Sequence, residues 1–276
     1  MQTLTAPAVT ARKGGGCPLV MITAYDAPSA RIAAEAGVEL VLVGDSVAMA
    51  VLGYQDTLQV DIDDMVRHTA AVARGLASDG GSPQTHGTRR PMVVADLPWL
   101  SYHSGASEAV SNAGRLVRAG AGAVKLEGGS KRLPVVAAIL DAEIPVMGHL
   151  GLTPQSMHAL GGFKVQGRTS GAAEYFATEA AALAEAGCFA LVLEGVPAEV
   201  ARYVTENIAI PTIGIGGGVH CDGQVLVFHD LLGLGETRVP KFVRTYANLR
   251  ADAVEAIRRW AHDVRERGFP SDAESY

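Results

Sequence analysis

A closed barrel of eight parallel strands alternating with helices is the fold class that the sequence predicts, and three observations predict it. The stretches AGVELVLVGDS, AGAGAVKLEGG and AGCFALVLEGV repeat one pattern: an Ala-Gly pair, an apolar run, then an acid beside a glycine, at Asp45, Glu127 and Glu194. A fourth run, PMVVADLP, stops the same way at Asp96. Ala-Gly suits a helix end, where glycine supplies the left-handed residue, and a β-branched apolar run suits a strand buried on both faces of a parallel sheet. Second, about eight such runs alternate with helical segments, which builds βα units with right-handed crossovers. Third, 276 residues is close to the roughly 250 of a single (β/α)8 domain. An open doubly wound sheet has the same buried strands. No GxGxxG joins the first strand to the first helix, and that favours closure.

Residues 1 to about 17 are small, polar and Gly-rich and are expected as a flexible lead-in, with a single barrel domain and its C-terminal helix filling 18–276. PLVMITAYD is the first strand. PSARIAAEAG is a helix opened by Pro28 and capped by Ser29, and LVLVGDS is the second strand. In IDDMVRHTAAVARG the spacing of Ile62, Met65, Val66, Thr69 and Val72 is helical, and the acids near its start suit the dipole. The stretch between about 77 and 90 has no apolar periodicity and many breakers, so it reads as an exposed insertion. PMVVAD is the third strand, SEAVSNAGRLVRAG a helix capped by Ser107, GAVKLEG the fourth strand and IPVMGHLG the fifth. The long loop GLTPQSMHALGGFKVQGRT that follows is expected to act as a lid. FALVLEG, IPTIGIGGG and GQVLVFHD complete the strands, and the tail forms an amphipathic helix with Ala253, Ile257 and Trp260 on one face.

Bulk properties exclude several functions. A formal charge of −6 without a basic run argues against a surface that neutralises nucleic-acid phosphates. Cys17, Cys188 and Cys221 form neither a disulfide framework nor a zinc pattern, which fits a reducing cytoplasm. No apolar segment approaches the ~20 residues of a membrane span, and the N-terminus lacks the apolar core of a secretory signal. Small molecules are the expected partners, with neither nucleic acid nor membrane.

Chemistry is expected where the strands end, because ligands of parallel α/β folds bind at the C-terminal edge. Barrel closure gathers Asp45, Asp96 and Glu127 on one rim. Their repulsion is relieved by a hard divalent cation such as Mg²⁺, which takes one or two carboxylates and keeps sites for water and substrate. Each acid alone is equally a loop or helix cap. Lys125 lies two residues from Glu127, on the same face of the strand, and needs a partner there: Glu127 or an anionic substrate. Glu194 has no cationic neighbour in sequence, so burial raises its pKa toward acid–base use, or a loop hydrogen bond engages it. His149 orients substrate, binds metal or caps a loop, and His158, His220 and His229 carry weaker signals. GIGGG at 214–218 is a cradle for an extended ligand or a simple turn.

Beyond these local signals, LVLVGDSVAM, ADLPWLSY, AVKLEGG, PVMGHLGLTPQS, GGFKVQGR, LVLEGVP and PTIGIGGG together resemble the ketopantoate hydroxymethyltransferase family, from about residue 18 to about residue 250. The resemblance implies a barrel of the phosphoenolpyruvate/pyruvate-binding type that moves a one-carbon unit from 5,10-methylenetetrahydrofolate to 3-methyl-2-oxobutanoate in pantothenate biosynthesis. It implies Mg²⁺ held by Asp45, Asp96 and Glu127, directly or through water, and Asp45, Ser46, Asp96, Lys125 and His149 at the ketoacid. Glu194 is implied as the proton acceptor, and a cytoplasmic homodecamer of two five-membered rings as the assembly. A Mg²⁺-dependent C–C lyase of 2-oxo acids and a non-catalytic ketoacid-binding barrel are the alternatives.

Overall fold

The structure is a computed structural model that describes residues 2–77, 89–162, 166–167, 171–235 and 240–276. Residues 78–88 of the expected insertion lie outside the described residues, as do 163–165 and 168–170 of the expected lid. Eight parallel strands close into a barrel: β1 (Leu19–Thr23), β2 (Leu40–Val43), β3 (Met92–Asp96), β4 (Ala123–Lys125), β5 (Val146–Gly151), β6 (Ala190–Glu194), β7 (Thr212–Ile215) and β8 (Gly223–Leu226). Each lies inside an apolar run that predicted it. β2 and β3 are buried at every position, as strands with a filled barrel on one side and helices on the other must be.

The intervening helices are α1 (Ala27–Glu35), α2 (Ile62–Ala77), α3 (Ala106–Arg118), α4 (Leu133–Asp141), α5 (Ala172–Glu185) and α6 (Ala198–Asn207). α1 starts one turn before the expected serine cap. Asp26 accepts from the Ser29 backbone N–H at 2.8 Å, and Ser29 closes a reciprocal capping box. Ser107 is not the cap of α3: the helix begins at Ala106 behind Gly105, whose φ of 139° suits only glycine, so Ser107 falls in the first turn. β7 and β8 are joined by residues 216–222 with no helix between them, a departure from strict alternation. Gly216 (φ 70°) and Gly218 (φ 82°) let the chain reverse in so few residues, and a Cβ on Gly218 would lie 2.6 Å from that of Ala198. The GIGGG run is therefore used by the crossover itself.

The expected flexible lead-in is instead an ordered plug. Backbone pairing of Gln2–Thr3 with Arg89–Arg90 leads into a helix at Ala6–Thr10. Leu4, Ala6 and Val9 are buried in one cluster with Leu19, Met21, Leu40, Met92 and Ala190 near the strand starts, so the helix closes the N-terminal end of the barrel. The sequence understated it because five helical residues are too few to display periodicity. Polar contacts fix it further. Thr10 Oγ1 donates to the Phe189 carbonyl at 3.0 Å, Lys13 pairs with Asp222 at 2.9 Å, and the Gly14 N–H donates to Asp222 at 3.0 Å.

By contacts the chain divides into two compact units, Met1–Val227 with the barrel and Phe228–Tyr276. The second holds α7 (Phe228–Leu231) and α8 (Leu249–Arg265), tied by the Tyr246 N–H to the Leu231 carbonyl at 2.8 Å. α8 is the expected amphipathic tail helix; Ile257 and Trp260 are exposed, and none of its residues is buried. Among the described residues no helix is long and apolar enough to cross a membrane.

Candidate active site

The structure brings Asp45, Ser46, Asp96, Lys125, Glu127, His149 and Glu194 to the C-terminal end of the barrel, opposite the N-terminal plug. Asp96 and Lys125 end adjacent strands in register, and their side chains pair at 2.9 Å. Lys125 was expected to pair with Glu127 or a substrate; Asp96 is its direct partner because β3 and β4 present the two side chains at the same height. Asp45 follows β2, and its backbone N–H donates to Asp96 Oδ2 at 3.1 Å. Glu127 follows β4 and accepts from the Gln155 backbone N–H at 3.0 Å. Ser46 shares a hydrogen bond of 2.8 Å with the buried Tyr25 phenol.

His149 lies within β5 and is 2 % exposed. Its Nε2 is 2.9 Å from the Leu152 carbonyl and 3.4 Å from Glu194 Oε2, and its Nδ1 is 3.2 Å from Lys125 Nζ. A carbonyl only accepts and an ammonium only donates, so this network places the proton on Nε2 and the lone pair on Nδ1. Burial, then the Lys125 charge, push its pKa well below the ordinary value, so the imidazole is neutral. Gly151 ends the same strand with φ 103°, and a Cβ there would meet the Glu194 carbonyl at 2.1 Å. Only glycine permits that close approach of β5 to the end of β6.

The acids share one electrostatic situation. Burial, followed by the charge of Asp96, pushes Asp45 up to about 7. Burial raises Asp96 despite Lys125, and burial with the charge of Asp45 raises Glu127 well above the carboxylate range. Glu194 is pushed up to about 8, mainly by burial. Burial opposes the charge on Lys125, but Asp96, Glu127 and Asp45 together hold it above its ordinary value. Four carboxylates thus face one ammonium and a neutral imidazole.

That imbalance is what a divalent cation corrects, and Asp45, Asp96 and Glu127 offer it the hard oxygen donors it prefers. Among the described residues no three His, Cys, Asp or Glu side chains form a ready-made cage. His158 and His220 are exposed, and His229 lies in the second unit.

Two residues escaped the sequence reading. Gln155 donates from Nε2 to Asp45 Oδ2 at 2.8 Å and to the Leu97 carbonyl at 3.0 Å. The Tyr102 phenol donates to Gln155 Oε1 at 2.6 Å and accepts from the Glu127 N–H at 3.2 Å. Both sit in motifs that carried the resemblance, LTPQS and ADLPWLSY. An uncharged residue in a loop gives no local signal of such contacts.

Buried acids, one lysine and a neutral histidine on the catalytic edge of a closed parallel barrel define an α/β-barrel enzyme. Solved barrels agree on the fold: 2,3-dimethylmalate lyase, a PEP mutase/isocitrate lyase superfamily member, matches with a TM-score of 0.57 at 18 % identity over 99 % of this chain and 92 % of its own. Phosphonopyruvate hydrolase matches with a TM-score of 0.61 at 16 % identity over 99 % and 92 %. The family model for ketopantoate hydroxymethyltransferase matches residues 3–272. The 3-methyl-2-oxobutanoate hydroxymethyltransferase of Moorella thermoacetica is 52 % identical, covering 99 % of this chain and 97 % of the relative. A second such enzyme, from Bradyrhizobium diazoefficiens, is 51 % identical over 100 % and 90 %. The chain belongs to the ketopantoate hydroxymethyltransferase family and is an enzyme of the transferase class.

Proposed function

We propose that the protein transfers the one-carbon unit of 5,10-methylenetetrahydrofolate to C3 of 3-methyl-2-oxobutanoate, giving 2-dehydropantoate for pantothenate biosynthesis, with Mg²⁺ as cofactor. The observation that carries this reading is the charge imbalance of the rim, the buried Asp45, Asp96 and Glu127 and the partly exposed Glu194 against Lys125 alone. Relatives about half identical over nearly their whole length, named for this activity, support it. A phosphonopyruvate hydrolase of the same fold has been solved in complex with oxalate and Mg²⁺, which supports the choice of cation.

Asp45, Asp96 and Glu127 would hold the cation. When bound it supplies Lewis-acid stabilisation of negative charge on the ketoacid's oxygens. Lys125, fixed between Asp96 and His149, meets the ketoacid's carboxylate or its developing enolate as a preorganised cation. The Ser46 hydroxyl, positioned by Tyr25, contacts the same substrate. Glu194, whose side chain is 17 % exposed and the most open of the acids, takes the proton from C3. His149 is engaged at both ring nitrogens and neutral, so it orients Lys125 and Glu194 rather than competing for that proton. C3 then attacks the methylene carbon of the donor's iminium form, and water supplies the hydroxyl oxygen as tetrahydrofolate leaves. The reading includes a cytoplasmic homodecamer, which sedimentation of the pure protein tests.

Proton removal is tested apart from folate chemistry. Incubated with Mg²⁺ and 3-methyl-2-oxobutanoate in D₂O, the wild type exchanges the C3 proton, followed by NMR. Glu194→Gln keeps the shape but loses basicity, so exchange falls by about 10² to 10⁴ while ketoacid binding survives. His149→Gln retains most of the exchange. Persistent exchange in Glu194→Gln with lost turnover would move the glutamate to the folate half of the reaction.

A further inference from the structure

We infer that Gln155 is a positioning residue whose amide, held in one orientation by the Tyr102 phenol, sets the carboxylates of Asp45 and Glu127 for the divalent cation. The inference rests on the proposed metal reading of these acids and adds the residues that arrange them. Gln155 is 5 % exposed, on a single turn at Pro154–Ser156 just beyond β5. Its side chain and backbone reach loops of three other strands: Asp45 after β2, Leu97 and Tyr102 after β3, and Glu127 after β4. Its side chain holds Asp45 and its backbone N–H holds Glu127, so one uncharged residue touches two of the candidate ligands.

The orientation of the amide follows from its partners. Both amide protons are used, one on Asp45 Oδ2 at 2.8 Å and one on the Leu97 carbonyl at 3.0 Å. Turned over, the amide would aim its own carbonyl oxygen at a carboxylate and a carbonyl. What fixes it is Tyr102. The phenol oxygen accepts from the Glu127 N–H at 3.2 Å, and its proton goes to Gln155 Oε1 at 2.6 Å rather than to the Glu127 carbonyl at 3.4 Å. Hydrogen bonds therefore run in one direction, from the Glu127 backbone through Tyr102 and Gln155 to the Asp45 carboxylate. The Gln155 backbone N–H anchors one oxygen of Glu127. A neutral amide suits this place because it accepts from a phenol and donates to an anion at once. A glutamate would bring a fifth negative charge, and a lysine would compete with the cation.

The test is calorimetric titration with Mg²⁺ alone, without ketoacid or folate, on wild type, Gln155→Met, Tyr102→Phe and the double variant. Each is first shown folded at the working temperature by circular dichroism and thermal melting. Gln155→Met is expected to bind Mg²⁺ about 10- to 100-fold more weakly, the range for losing a group that orients a metal ligand. Tyr102→Phe weakens binding in the same direction. The double variant is no weaker than Gln155→Met, because the phenol acts through the amide. Folded single variants that bind within about twofold of wild type, or losses that multiply in the double variant, overturn the proposal. If Gln155→Met does not fold, Tyr102→Phe decides alone, and wild-type affinity there overturns it. Wild type that binds no Mg²⁺ overturns the metal reading and this inference with it; wild type that binds while both variants are indifferent overturns only the inference.

Discussion

At the scale of single residues, His149 and Glu194 show how burial divides labour between two titratable groups 3.4 Å apart. The imidazole is driven neutral by burial and Lys125, while the carboxyl is pushed up to about 8. A base must be deprotonated to accept a proton, so C3 exchange is expected to climb as pH rises toward and through about 8 and then level off. Glu194→Gln should show no such limb, and an identical limb in that variant would assign the titration elsewhere. Lys125→Met is expected to raise the ketoacid dissociation constant by about 10²-fold, the scale for stripping one partner from a buried charge pair, with little change for folate. Equal weakening of both ligands would mark Lys125 as a structural partner of Asp96 alone. The acids and the lysine were legible because charge at the end of an apolar run is conspicuous. Gln155 and Tyr102 were not, since their meaning lies in partners such as Asp45, 110 residues away from Gln155.

Among the elements, all eight strands could be read because unbroken runs such as LVLV and MVVAD are incompatible with a half-exposed surface. Helix starts were less legible. The true cap of α1 is Asp26, and α3 begins behind a glycine, because a cap depends on where the chain leaves the preceding loop. Least legible was the N-terminal plug, whose anchors are remote in sequence. Asp222 is its main tether. It accepts from Lys13 and from the Gly14 and Thr212 N–H groups, and these contacts outweigh burial to hold its carboxyl below the ordinary value. Asp222→Ala removes the acceptor from all three donors in a part-buried setting and is expected to cost about 1.5 to 3 kcal/mol in chemical denaturation, the range for hydrogen bonds to a charged group. A change within about 0.5 kcal/mol, the size of a neutral surface substitution, would return these residues to the status of a loose lead-in.

For the molecule as a whole, the raised acids tie stability to pH. Folded Asp45 and Glu194 hold protons that the unfolded chain releases, so without metal, stability falls as pH rises from the ordinary carboxylate range through about 7 and 8. The elevated Lys125 adds stability that is lost only at pH values above this window. Mg²⁺ binds the ionised acids, so its stabilising effect is expected to be larger at pH 8 than at pH 5. Thermal melts with and without the cation at both values check this, and an equal gain at both would refute it. The plug at the foot of the barrel has a further consequence, one that concerns time. Its anchors at Phe189 and Asp222 are 179 and 208–209 residues downstream, so they are made after it. The plug can therefore make these contacts only once nearly the whole barrel exists, and closing so long a loop is entropically slow. Until then the tethers to Phe189 and Asp222 are missing, so the foot of the barrel is completed late.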